Sequence, residues 1–93
     1  MNLVILYGIV VTNVDFRFIY DRFCCDEENI EKYNHVSIAS CTLKLLNESS
    51  IEIYGYDNVA DFMLRSLKVN DNVYTEGKLS NEGKIEINTI YRK

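Results

Sequence analysis

Tyr54 and Tyr74 stand where strand alternation would turn an aromatic ring outward, and Arg17, Lys44, Lys78 and Lys84 are cations on similar segments. That combination can do one kind of chemistry. An exposed ring takes an unpaired base by stacking, and a nearby Lys or Arg neutralises a phosphate. Alternation and chain order predict that Tyr54 and Tyr74 share the outward face of neighbouring strands. Each stacked base contributes about 1–3 kcal/mol, so two tyrosines and a few cations imply modest affinity for single-stranded DNA or RNA. The same tyrosines would serve equally well as cover for a barrel or as a subunit contact. Tyr20, Tyr33 and Tyr56 are read as structural.

Other chemistry finds little support. His35 is the one histidine, and no Ser/His/Asp or Cys/His arrangement has a recognisable setting. No glycine-rich phosphate loop is present. The expectation is a non-enzyme without cofactors. Cys24, Cys25 and Cys41 are odd in number, which does not suit a disulfide framework and points to a reducing compartment. They lack CxxC spacing, so no metal site is expected with His35. A formal net charge of −4 counts against a strongly electrostatic nucleic-acid binder, because phosphate contacts need cations. Residues 15–32 hold six acids against three bases, a segment any polyanion should avoid. That excess continues through 24–34, read as an acidic solvated loop. The apolar start of the chain is too short to span a bilayer and has no basic flank, so it is a strand, and no membrane association is expected.

Which elements would hold these residues in place? The 93 residues suffice for one domain. The organising stretch is Ser50–Ala60. Ile51 and Ile53 alternate with Glu52 and Tyr54 as in a strand. Gly55 is expected to turn the corner, Asp57 or Asn58 to cap a helix over 57–67, and Val59, Ala60, Met63, Leu64 and Leu67 to form its apolar face. Before it, Leu3–Val14 is apolar on both faces. Val4, Leu6, Val10 and Val14 lie on one side, and Leu3, Ile5, Tyr7, Ile9 and Val11 on the other. One side suits a core; the other needs a cover, for which a second subunit is the natural candidate. After a bend the same strand continues through Phe16, Arg17 and Phe18. His35–Leu46 and Ile51–Tyr54 form a hairpin. Val73–Leu79 and Lys84–Tyr91 form another, with Val73, Thr75, Gly77 and Leu79 on one face of the first strand and Ile85 and Ile87 inward on the second. The order β-β-β-α-β-β with a kinked first strand predicts an all-β fold with one helix, a five-stranded Greek-key OB barrel with its helix between strands 3 and 4. It occupies residues 1–93 as a single domain.

The motifs, taken in order, resemble those of bacterial single-stranded DNA-binding proteins. Asn2-Leu3-Val4-Ile5-Leu6-Tyr7-Gly8 is similar to that family's opening strand, and Phe16-Arg17-Phe18 to its arginine between apolar residues. Ile51–Gly55 followed by Val59-Ala60 resembles its strand, glycine and helix start. Val69–Leu79 resembles its fourth-strand motif. The short length and Asp57-Asn58 are similar to the branch containing primosomal replication protein N and plastid-encoded proteins. The resemblance implies an OB fold, dimerisation and single-stranded DNA binding in replication, repair or recombination, in a bacterial cytoplasm or a plastid stroma and nucleoid. Replication proteins are then expected partners. The chain departs from that family in lacking tryptophan, a long basic hairpin and an acidic tail; Ser80-Asn81-Glu82-Gly83 replaces the hairpin.

Two functions therefore stand as expectations. The first is a single-strand binder using Arg17, Lys44, Tyr54, Tyr74, Lys78 and Lys84, dimeric through Leu3, Ile5, Tyr7 and Ile9. The alternative is an OB-fold interaction module or replication accessory subunit with little DNA affinity. The net charge on the tyrosine face discriminates them.

Overall fold

The computed structural model describes residues 3–20 and 35–93. The vicinal cysteines, Tyr33 and the acidic 24–34 segment lie outside the described residues. Among the described residues six strands and one helix follow in order: β1 Val4–Val10, β2 Asp15–Tyr20, β3 His35–Leu45, β4 Ser50–Tyr56, α1 Asn58–Ser66, β5 Asn72–Leu79 and β6 Ile85–Arg92. The sheet runs β1-β5-β6-β4-β3-β2, and β1 also pairs with β3, so it closes. Counting β1 and β2 as one bent strand gives the five-stranded OB barrel with its helix between the third and fourth strands.

The bend has a measurable form. Val10 pairs with Leu43 and Asp15 with Ser40, so residues 11–14 lie opposite only Cys41 and Thr42. The two surplus residues crease the strand. The crease is not left unsatisfied. The Val11 amide donates to Thr42 O at 3.0 Å, and the Thr42 amide donates to Thr12 Oγ1 at 2.9 Å. β1 thereby reaches β5 on one side while β2 lines β3 on the other.

Alternation does the sorting expected of it in β1, where Val10 is fully buried and Leu3, Ile5, Tyr7 and Ile9 are exposed. The core joins Val10, Ala39, Leu43, Ile53, Val73, Ile85 and Ile87 from the strands to Ala60 and Met63 of α1. Val59 and Phe62 pack at its margin, whereas Leu64, expected on the apolar face, is exposed. The buried stripe is centred on 60, 63 and 67, and Leu64 falls beyond its edge. The helix ends at Leu67, whose amide still donates to Met63 O at 3.1 Å. The turn beyond is tied to β1: the Asn70 amide donates to Val10 O, and the Val10 amide to Asp71 O.

The corner before α1 differs from expectation. β4 runs through Gly55 to Tyr56, and the chain turns at Asp57, which takes φ 51° and makes no side-chain cap. Gly55 serves close approach instead. A Cβ there would lie 2.4 Å from Val59 Cγ1 and 3.0 Å from Val59 Cβ, so its absence lets the first turn of α1 settle on β4. Gly77 answers a harder constraint. A Cβ there would meet the backbone oxygen of Glu86 at 2.1 Å, beside a register shift in the β5–β6 ladder.

These contacts make a paired prediction. Gly55→Ala should lower stability by about 1–3 kcal/mol through overpacking, and Val59→Ala in the same chain should recover much of the loss. Gly77→Ala should cost more, with no side-chain rescue, because the obstacle is backbone. Urea midpoints at unchanged slope measure both.

Candidate nucleic-acid interface

Because side chains alternate, each strand that buries a residue inward presents its neighbours outward, and the barrel carries two different outer faces. On the first, β2, β3 and β4 lie side by side. Arg17 stands opposite Ile38, Ile38 opposite Tyr56, and Ser40 opposite Tyr54. With Asp15, Ile19, Glu52 and the 80–84 turn they line an open groove of about 510 Å³. The Tyr54 and Tyr56 rings meet edge to face at 5.7 Å. Tyr56 is 38% exposed, and its phenol is shifted upward by desolvation first, then by the charges of Tyr54, Glu86 and Glu82. Carboxylates therefore face the ring pair.

The four sequence-chosen cations are not free. Arg17 pairs with Asp15 at 2.7 Å, a contact that raises its already high pKa through the hydrogen bond first and the charge second. Lys84 Nζ lies 3.5 Å from Glu52 and 3.8 Å from Glu82. Lys78 pairs with Glu86 at 3.2 Å, and Lys44 with Glu48 at 2.8 Å. Among the groove-lining residues, three acids face two bases. The face is close to neutral and slightly acidic. Exposed pairs of this kind contribute only about 0–1 kcal/mol each, so a phosphate can displace the carboxylate from Arg17 or Lys84.

Tyr74 lies elsewhere. β6 stands between β4 and β5, so Tyr54 and Tyr74 are not on neighbouring strands as chain order predicted. Tyr74 belongs to the second face. It sits opposite Tyr7 and Tyr91, with ring centroids 4.9 Å and 5.9 Å away. Its hydroxyl donates to Glu76 Oε1 at 2.5 Å. Lys93 rests 4.6 Å above the Tyr7 ring. This tyrosine ladder continues the apolar row of Leu3, Ile5, Tyr7 and Ile9, whose side chains are 41–59% exposed. Lys44 borders a separate groove of about 560 Å³ with Tyr7, Ile9, Leu46 and Lys93. Lys78 stands beside Glu86, across β5 and β6.

The six sequence-chosen residues thus divide. Arg17, Tyr54 and Lys84 come together in the first groove; Lys78 reaches it only through Glu86; Tyr74 and Lys44 lie apart. Tyr56, read as structural, lines the groove instead. Strand parity from Tyr54 would have placed it there had the strand been carried past Gly55. Cys41 lies in the core behind this face. Burial, and then the charge of Glu52, push its thiol up to about 11, which makes it a poor nucleophile at neutral pH. Among the described residues no group of His, Cys, Asp and Glu could hold a metal ion, and no helix is long and apolar enough to cross a membrane.

A closed, creased sheet with one capping helix and an open groove over its β2–β3–β4 side defines the OB-fold class. Solved structures bear this out. The SSB domain of a Synechococcus sp. protein is 19% identical and superposes with a TM-score of 0.73, covering 98% of this chain and 94% of that one. The single-stranded DNA binding protein from Thermus aquaticus is 18% identical with a TM-score of 0.77, and its match covers all of this chain and 40% of that one. The protein priB from Ralstonia solanacearum is 17% identical with a TM-score of 0.70, over all of this chain and 99% of that one. No family model matches the chain, and no curated protein matches it. The resemblance read in the sequence motifs is therefore met in the fold.

The Tyr74–Glu76 hydrogen bond is testable by itself. It is the first cause, ahead of desolvation and neighbouring charge, that raises the Tyr74 phenol to about 12. The protonated form is the favoured one. Its contribution to stability is intact below the ordinary tyrosine range and is lost as pH rises through about 12. Ultraviolet titration should show the Tyr74 phenol ionising late, and Glu76→Gln should bring it down toward the ordinary tyrosine value.

Proposed function

We propose that this protein binds single-stranded nucleic acid without catalysis, in the groove of Arg17, Tyr54, Tyr56 and Lys84. The observation that carries the reading is the pair of tyrosine rings set in an open groove between two cations on the β2–β3–β4 side of an OB barrel. The solved structures of this fold named above include single-stranded DNA binding proteins, which supports the same reading. A base stacks on Tyr54 while its phosphates take Arg17 and Lys84 from their carboxylates. A role in DNA replication, repair or recombination, beside other replication proteins in a bacterial cytoplasm or plastid stroma, follows from that reading.

A second reading has its own support. The pairing of every sequence-chosen cation with a carboxylate, and the apolar second face, favour a protein-interaction module. The two readings share one feature: the exposed row of Leu3, Ile5, Tyr7 and Ile9 joins two copies of the chain through β1, because apolar side chains in one contiguous row gain from leaving water.

Tyr54→Ala should weaken binding of a labelled oligo-dT by about 5–150-fold, the loss of one stacked base, with an unchanged circular dichroism spectrum. Equal affinity of parent and variant would reject the stacking role. With two phosphate-binding cations, the logarithm of the affinity should fall with that of salt at a slope of only about −1.5. Light scattering at micromolar concentration should give a dimer, and Ile5→Lys a monomer; a monomeric parent would end the β1 assignment.

A further inference from the structure

Tyr54 has four outward neighbours, and their chemistry is one-sided. Along β4 they are Glu52 and Tyr56. Across the ladders they are Ser40 on β3 and Glu86 on β6. The ring that offers the stacking surface is therefore flanked by a carboxylate along its own strand and another on the adjoining strand. In the chain by itself Glu52 pairs with Lys84 and Glu86 with Lys78; a phosphate that takes Lys84 leaves the Glu52 carboxylate free to meet a base. The Glu86 side chain is only 28% exposed, so its direction is fixed by packing as well as by its partner. No cation stands among the four positions bordering the ring.

A carboxylate at neutral pH accepts hydrogen bonds and donates none. A base lying on Tyr54 turns its edge to such acceptors. Cytosine offers its N4 amino group and adenine its N6 amino group, whereas thymine presents carbonyl oxygens on either side of a single N–H. An amino group beside Glu52 or Glu86 gains a charge-assisted hydrogen bond. A carbonyl there meets a like partial charge. Like charge disfavours a phosphate beside Glu52 and Glu86, whereas Arg17 and Lys84 attract one.

We propose that Glu52 and Glu86 are specificity-determining residues, and that the groove prefers amino-bearing bases, cytosine and adenine among them, over thymine and uracil. This rests on the single-strand reading above and deepens it.

Fluorescence anisotropy of the whole chain with labelled oligo-dC, oligo-dA and oligo-dT of equal length tests it. Oligo-dC and oligo-dA should bind more tightly than oligo-dT by on the order of fivefold, the low end for one base-edge contact. Glu52→Gln and Glu86→Gln put an amide donor where thymine presents a carbonyl. Each should bring the dC-to-dT ratio toward one, chiefly by tightening oligo-dT. Loss of the carboxylate also frees a lysine, and that effect is separable because it tightens all three strands by the same factor. A uniform gain with the ratio unchanged, or equal affinity of the parent for oligo-dC and oligo-dT, would overturn the proposal and leave the single-strand reading standing. Absence of binding to all three would remove both.

Discussion

The barrel is shut by a short parallel ladder. Ile53 pairs with Ile85 and Tyr54 with Glu86, and these contacts join β4 to β6, elements separated in sequence by a helix and a strand. Their inward members, Ile53 and Ile85, are both at most 2% exposed and sit at the centre of the core. Their outward members set Glu86 beside the groove tyrosine. The same junction places β6 between β4 and β5, and so divides the outer tyrosines into two groups. Parallel pairing needs a long crossover, which α1 and β5 provide. The helix can fill that role at close range because Gly55 leaves room for Val59.

Much of this was legible one residue at a time. The two-sided apolar pattern of Leu3–Val11 predicts a strand with one face in the core and a second apolar face in need of a cover. Parity puts Val73, Thr75, Gly77 and Leu79 on one face; the first three are buried, while Leu79 at the strand end is exposed. Local signals failed at two places. Gly55 looked like a corner because glycine commonly makes one, yet its service is steric, and nothing in a linear pattern reports how near a helix approaches. Tyr54 and Tyr74 looked like neighbours because sequence order was the only available guide to strand order. A two-pair parallel ladder leaves no periodic trace in the residues that form it.

The candidate site shows the same division. Side-chain type and alternation located Tyr54, Arg17 and Lys84. They could not report that Lys84 is matched by Glu52, far away in the chain, although Arg17–Asp15 joins near neighbours on one strand. The groove that results combines aromatic surface with nearly balanced charge. For the binding proposed, ring stacking rather than bulk electrostatics would be the main source of affinity. This balance also separates the two outer faces in character: one is polar and ring-bearing, the other apolar with its own tyrosine ladder.

The crease at residues 11–14 carries a further consequence. Its surplus is two residues, an even number, so the pleat on either side of it keeps the same parity: Leu6 and Val10 before it, Val14 and Phe16 after it, all join or flank the core. Deleting or adding a single residue there would invert everything downstream on that strand, turning Phe16 to water and Arg17 to the interior. Length in this segment is thus quantised in pairs. A loop that looks freely variable is in effect a spacer whose tolerance depends on whether the change is odd or even.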